Sequence, residues 1–154
     1  MFEEIAATIT KTIPMRRRGT PKGMANGELT YATQAGMRSW WTADTRIEER
    51  VAGKAEFGFE KRQVVFRMTI ERLDPAQCVV MRCHGDHPEW NNTTLSWDLV
   101  KSKSDERSTT LRFTHSGWRE FTDYCIGCNS MWGNLLFRLK DAAEGNGRGP
   151  QWKE

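Results

Sequence analysis

The sequence lacks any long hydrophobic run. Its 154 residues contain no apolar stretch that approaches the roughly 20 residues needed to cross a bilayer. The N-terminus, Met1-Phe-Glu-Glu-Ile5, carries acidic residues where a secretory signal carries basic ones, and no apolar segment follows it. We therefore expect a soluble, cytoplasmic protein with no membrane insertion.

A strong excess of one charge is also missing. The 23 basic and 20 acidic residues give a net charge of +3, spread along the chain, which is too small to indicate nucleic-acid binding. The one basic cluster is Arg16-Arg17-Arg18 with Lys22. Neighbouring glycine and proline residues favour a solvated loop there, and a contact with phosphate or a membrane surface is the alternative. We expect no nucleic-acid partner.

Cysteine and histidine are too few to indicate chemistry by themselves. Without a secretory signal we expect reduced thiols at all four cysteines, which are Cys78, Cys83, Cys125 and Cys128. The Cys125–Cys128 spacing is that of a redox or zinc motif, but both residues fall on the apolar stripe of a predicted helix, where small buried residues are common. His84 and His87 flank a loop and lack the compact spacing of a zinc site. We predict no metal and no cofactor.

Alternation of apolar and polar residues predicts strands through most of the chain. A first strand covers Ile5 to Ile13, and a short helical insertion runs from about Leu29 to Trp41. The polar residues 102–107 form a hairpin loop. Further strands are predicted at Ile47–Val51, Ala55–Phe59, Val64–Ile70, Gln77–Cys83, Leu95–Leu99 and Leu111–His115.

After Trp118 the period changes to steps of three and four, which predicts one long amphipathic helix that ends at Gly145. These elements predict an α+β fold, one domain over residues 1–154, in which the helix covers the apolar face of a curved antiparallel sheet. The predicted stripe of the helix consists of Phe121, Cys125, Cys128, Trp132, Leu135, Leu139 and Ala142.

Large aromatic residues on a concave sheet cannot all interdigitate with one helix, and this favours a cavity between the two layers. Each aromatic residue is equally compatible with an ordinary core. His115 shares its strand face with Leu111 and Phe113, so it either orients a ligand, acts as a general acid–base, or is a hydrogen-bonded core histidine. The predicted ligand-binding residues are Trp41, Phe57, Phe66, Trp97, Phe113, His115 and Trp132.

Three segments together resemble one protein family. They are Thr33-Gln-Ala-Gly-Met-Arg-Ser-Trp-Trp41 with Asp44, Thr114-His-Ser-Gly-Trp118, and Cys128-Asn-Ser-Met-Trp-Gly-Asn-Leu-Leu136, which is followed by Leu139, Glu144, Gly145, Gly147 and Pro150. In this order they resemble the SRPBCC superfamily, and within it the branch named after the activator of the heat-shock-protein-90 ATPase.

The resemblance implies a helix-grip fold, as in birch-pollen allergens and lipid-transfer domains, with a deep cavity between the sheet and the terminal helix. Members of this superfamily bind lipids, hormones and polyketides, and some are cyclases. Residues 14–27 depart from the family, which usually has Ala-Pro and a helix with an apolar-aromatic pair at this point. We therefore expect the first short helix to be displaced or disordered.

These features support three hypotheses of function. The first is a non-catalytic protein whose partner is a small hydrophobic molecule, lipid-like or polycyclic, bound between the sheet and the helix. The second is a cyclase- or hydrolase-like enzyme that uses His115, although no carboxylate is predicted on the same face. The third is a chaperone-associated interaction module, which the family name suggests. We expect a monomer or a weak homodimer.

Overall fold

The computed structural model describes residues 7–16, 31, 33–74, 77–101 and 108–154. Most of the arginine-rich stretch 14–27 and the loop 102–107 therefore lie outside the described residues. Within the described ranges, the helices are a short helix (Gln34–Arg38) and the C-terminal helix (Asp123–Ala143). The strands are β1 (Ala7–Arg16), β2 (Thr45–Ile47), β3 (Lys54–Phe59), β4 (Val64–Asp74), β5 (Cys78–Cys83), β6 (Thr94–Lys101) and β7 (Ser108–Trp118).

The described strands form one sheet in the order β1-β7-β6-β5-β4-β3-β2, and every neighbouring pair is antiparallel. From β2 to β7 the strands follow one another as a meander, and β1 adds to the free edge of β7. The curved sheet wraps around the C-terminal helix. The predicted α+β helix-grip fold is confirmed.

Strand register places the bulky apolar residues on the face that the helix covers. In the β6–β7 pair, Trp97 lies opposite Phe113 and Leu95 lies opposite His115. All four side chains are buried. Because successive residues of a strand point to opposite faces, the polar residues between them lie on the outer face of the sheet.

The C-terminal helix starts two residues later than its stripe predicts. Thr122 is the N-cap, and its hydroxyl accepts a hydrogen bond of 3.1 Å from the backbone N–H of Cys125. Phe121 therefore lies outside the helix and is 73% exposed, so its assignment to the buried stripe is wrong. The predicted stop at Gly145 is confirmed by its φ of 82°, which favours glycine. The buried residues of the helix are Cys125, Cys128, Trp132, Leu135, Leu136, Leu139 and Ala143.

After the helix, the chain returns along the segment that follows the short helix. The backbone N–H groups of Gln151 and Trp152 donate to the carbonyls of Trp40 and Trp41, each at 3.1 Å. The N–H of Ala43 in turn donates to the carbonyl of Trp152 at 2.9 Å. These bonds attach the C-terminal tail (residues 145–154) to the body of the fold. In the described part of the chain, no helix is long and apolar enough to cross a membrane.

Candidate functional site

Aromatic side chains from the sheet, the loops and the helix converge around Trp132, at the middle of the C-terminal helix. The Trp132 ring lies 4.4 Å from the ring of Phe113, 5.1 Å from that of Trp41 and 6.5 Å from that of Trp97, measured between centroids. We call ten of these rings the aromatic cluster. Its members are Trp41, Phe57, Phe59, Phe66, Trp90, Trp97, Phe113, His115, Trp118 and Trp132. At its edge, Trp41 stacks on Trp40 at 5.8 Å, Phe59 packs on Trp152 at 5.0 Å and Trp118 packs on Tyr124 at 6.2 Å.

All seven residues that the sequence analysis selected lie in this cluster, but at different depths. Phe66 is only half-buried and packs on Trp90 at 4.4 Å. The other six are at most 1% exposed, so they have almost no contact with solvent. In this conformation the rings therefore fill the space between the sheet and the helix by contact with one another.

Three members of the cluster, Phe59, Trp90 and Trp118, were not predicted from the sequence as ligand-binding residues. Trp90 contacts the ring of His115 at 4.8 Å, and Trp118 contacts it at 4.5 Å. Trp90 lies in the polar segment between β5 and β6, which predicts an exposed connection. The residue type could have indicated its burial, because the ring of a tryptophan in a polar loop is usually buried.

His115 is held in one tautomer by a chain of hydrogen bonds. The Thr93 hydroxyl donates to the carbonyl of Trp90 at 2.6 Å, so its oxygen is left to accept from Nε2–H of His115 at 2.9 Å. The indole N–H of Trp132 donates to Nδ1 of His115 at 3.2 Å. The imidazole is therefore neutral with its proton on Nε2.

Burial controls the acidity of this histidine. It lowers the pKa of His115 from its ordinary value of 6.5 to about 3. Protonation would also place a new N–H at Nδ1 directly against the N–H of Trp132. Both effects keep the imidazole neutral near pH 7, and both nitrogens already have partners.

Four other buried indoles in and around this cluster have no such partner. The Nε1 atoms of Trp41, Trp90, Trp97 and Trp118 have no oxygen or nitrogen acceptor. The Trp90 N–H lies beside the sulfur of Cys128, which is a weak acceptor. Buried donors are normally paired. Four such donors in one ring system are therefore unusual for a purely structural core.

The four cysteines are packing residues of the core. Burial raises the pKa of both Cys125 and Cys128, although Cys125 lies in the first turn of a helix, where thiolates are usually stabilised. Burial likewise raises the pKa of Cys78 and of Cys83 to about 12. All four cysteines are buried and free. A thiol of this kind is a poor nucleophile and a poor metal ligand.

The two loop histidines contact different side chains. Nε2 of His84 is 2.6 Å from the hydroxyl of Thr69, whereas the ring of His87 stacks on Tyr124 at 4.0 Å with an interplanar angle of 6°. Among the described residues, no group of three or more His, Cys, Asp or Glu side chains is placed to hold a metal ion.

A comparison with protein-family models gives one match. Residues 30–144 match the family described as "Activator of Hsp90 ATPase homolog 1-like protein". The chain belongs to this family. The matched range runs from just before the short helix to the end of the C-terminal helix, so it includes all of the aromatic cluster. A search of curated proteins gives no match.

One solved structure agrees with membership of the Hsp90-activator-like family, and others share the fold. The Aha1 dimer from Colwellia psychrerythraea is 28% identical, with a TM-score of 0.77 over 91% of this chain and 98% of that one. A conserved protein of unknown function from Enterococcus faecalis is 17% identical, with a TM-score of 0.68 over 92% and 74%. DynU16, from the dynemicin biosynthetic locus, is 13% identical, with a TM-score of 0.70 over 95% and 51%. The last two show the fold alone.

Proposed function

We propose that this protein is a non-catalytic binding module that holds a small hydrophobic ligand between the sheet and the C-terminal helix, against the aromatic cluster. The observation that carries the proposal is the set of four buried indole N–H groups without a strong acceptor. An unpaired buried donor costs about 1–3 kcal/mol, and phenylalanine would fill a purely structural core without that cost. A ligand with a rigid apolar body and a carbonyl or hydroxyl oxygen would supply the missing acceptor.

Binding at this place requires the two layers to separate, because the rings now touch one another. The ends of the helix are held by polar contacts: the Thr122 hydroxyl donates to Glu89 at 2.5 Å, and Nζ of Lys140 donates to the carbonyl of Pro14 at 3.0 Å. Burial of the ligand's apolar surface would offset the free-energy cost of separating the layers by about 25 cal/mol per Å² of surface buried. We therefore expect the observed association rate to level off at high ligand concentration, where opening limits it.

A neutral fluorescent ketone, 6-propionyl-2-(dimethylamino)naphthalene, is a suitable probe because it combines an apolar ring with one acceptor. We expect its emission to shift to the blue on binding. Trp97→Phe keeps an aromatic ring at this position but removes the indole N–H donor. It should weaken binding about tenfold, which corresponds to a loss of about 1.4 kcal/mol in binding free energy. Trp152→Phe is the matched control, because this half-buried tryptophan packs on Phe59 at the edge of the cluster, at 5.0 Å, but is not one of the four unpaired donors. Equal affinity of the two variants would contradict the proposal.

The enzymatic alternative has little support in the geometry. A general base needs a free lone pair within reach of a substrate. Nδ1 of His115 already accepts from Trp132, its Nε2 already donates to Thr93, and the side chain is fully buried. We therefore assign His115 to the positioning of Trp132, and not to proton transfer.

A second candidate function is the chaperone association that the family description names. Its structural basis would be the outer face of the sheet, where a chain of ion pairs crosses β3 and β4. Arg62 donates to Asp44 at 2.7 Å and to Glu56 at 2.6 Å, and Arg67 pairs with Glu56 and Asp86. If this face contacts a heat-shock-protein-90 chaperone, Arg62→Glu should abolish any stimulation of the chaperone ATPase while the ketone still binds.

The assembly and the location of the protein stay predictions. The Colwellia psychrerythraea relative was solved as a dimer, and for this chain we propose a monomer or a weak homodimer in the cytoplasm. Sedimentation equilibrium over a hundredfold range of concentration would test the first point. A tight dimer at the lowest concentration would contradict it.

A further inference from the structure

A second binding surface lies outside the aromatic cluster, between the C-terminal helix and the tail. The tail crosses the flank of the helix and leaves a cleft of about 580 Å³. Its apolar wall consists of Met131 from the helix and Trp152 from the tail, which are half-buried, with the buried Leu135 behind them. Phe137 lies at the rim and is 58% exposed. An exposed aromatic ring beside an apolar wall is the kind of surface that a bound apolar group would cover.

The charges at this cleft are not balanced. Arg148 pairs with Asp141 at 2.9 Å between Nε and Oδ2. Arg138 lines the same cleft and is half-buried, and its one hydrogen bond is from Nη1 to the carbonyl of Gly149 at 2.9 Å. Within the described residues, no carboxylate pairs with Arg138. The other N–H groups of its guanidinium are left for a ligand, and a planar guanidinium binds a carboxylate through two parallel hydrogen bonds.

We propose that this cleft binds an amphipathic carboxylate, whose acid group pairs with Arg138 and whose apolar chain lies along Met131, Phe137 and Trp152. The volume favours a small molecule over a protein segment, since small-molecule sites measure about 300 to 1,000 Å³. The unpaired arginine selects an anion over a neutral or cationic ligand. The cleft shares no lining residue with the aromatic cluster, although Trp152 packs on Phe59 at 5.0 Å. The two proposals rest on different donors, so neither depends on the other.

Calorimetric titration with dodecanoate and with dodecyltrimethylammonium, both below their micellar concentrations, tests the charge selection. The two probes share one apolar chain and differ in the sign of the head group. We expect dodecanoate to bind at least tenfold more tightly. Equal affinities would overturn the proposal, because the cleft would then recognise the chain alone.

Substitution tests the role of Arg138. Arg138→Gln should weaken dodecanoate binding at least tenfold, because a hydrogen bond to a charged group is lost. Arg138→Lys, which keeps the charge without the planar fork, should give an intermediate affinity. The matched control is Arg112→Gln, at an exposed position on β7, which should bind as the wild type does. Unchanged binding by Arg138→Gln would refute the assignment.

Two further measurements keep the proposal testable if Arg138→Gln disturbs the tail. Phe137→Ala changes an exposed ring and should fold normally, and it should weaken dodecanoate binding severalfold. Amide chemical shifts on addition of dodecanoate should change at Asn134 and Gln151, which also line the cleft. Shifts confined to the aromatic cluster would overturn the proposal. So would a cleft that binds no dodecanoate but whose substitution changes the oligomeric state, since it would then be an interface between copies of the chain.

Discussion

Lowering the pH from 7 to 5 tests the buried hydrogen-bond network of His115. In the unfolded chain the imidazole titrates near its ordinary pKa of 6.5, whereas burial in the folded protein lowers that pKa to about 3. Between these two values the unfolded state binds a proton that the folded state does not. Stability from this residue is therefore complete above pH 6.5 and is lost as the pH falls toward 3.

The magnitude follows from the difference between the two pKa values. Each pH unit within the interval changes the free energy of unfolding by about 1.4 kcal/mol. Allowing for partial protonation near pH 6.5, the loss between pH 7 and pH 5 is about 2 kcal/mol from His115 alone. For a domain of this size that is a large part of the total stability.

Urea unfolding followed by tryptophan fluorescence is the appropriate assay, because most of the seven tryptophans are buried. His115→Gln removes the titrating group, so its stability should change by about 2 kcal/mol less than that of the wild type over the same interval. Leu111→Val, on the same buried face of β7, costs about 1 kcal/mol at every pH and should keep the wild-type slope. It separates loss of the imidazole from general destabilisation.

Equal pH dependence in the wild type and in His115→Gln would refute this reasoning. If His115→Gln does not fold, NMR of the wild-type imidazole gives the same answer. We expect its signals to stay those of the neutral Nε2–H tautomer down to pH 4. A titration centred near pH 6 in the folded protein would contradict the network.

Other substitutions give contrasting outcomes. Trp132→Ala should destabilise the protein by about 3–5 kcal/mol in urea unfolding, because it empties the centre of the core, whereas Phe137→Ala, at an exposed site, should stay within about 0.5 kcal/mol of the wild type. Thr122→Ala should cost about 1 kcal/mol through loss of the helix cap; no change would argue against the assigned helix start. Cys125 and Cys128 should not react with a disulfide reagent at pH 8 until urea unfolds the chain, and rapid modification of the native protein would show that they are not buried.

Most of the sheet was predicted correctly, because alternation of apolar and polar residues follows from the geometry of a strand. The strand predicted at Ile47–Val51 is wrong, since β2 is Thr45–Ile47 and Val51 is 59% exposed in the turn that follows. A half-buried strand must place apolar side chains on one face, so the parity of Leu111, Phe113 and His115 already fixed which residues meet the helix. The same reasoning gave Trp97, since it lies at the same parity on the preceding strand. The family resemblance added the helix-grip fold and the expectation of a deep cavity.

The parts that were missed depend on contacts between distant segments. Trp90 is buried because its loop turns back toward β7, and no local sequence pattern predicts this turn. The helix–tail cleft exists because Trp152 pairs with the backbone of Trp41, near the other end of the chain. Phe121 fits the helical period, but Thr122 caps the helix after it and leaves its ring in solvent.

The most direct test of ligand binding in the aromatic cluster is an NMR titration of the indole N–H signals with the neutral naphthyl ketone. We predict that at least one of the signals from the four unpaired indoles, at Trp41, Trp90, Trp97 and Trp118, moves downfield as the carbonyl oxygen accepts from that N–H, while the signal of Trp152 stays in place. Movement of the Trp152 signal alone, or no movement at saturating probe, would contradict a ligand site between the sheet and the helix.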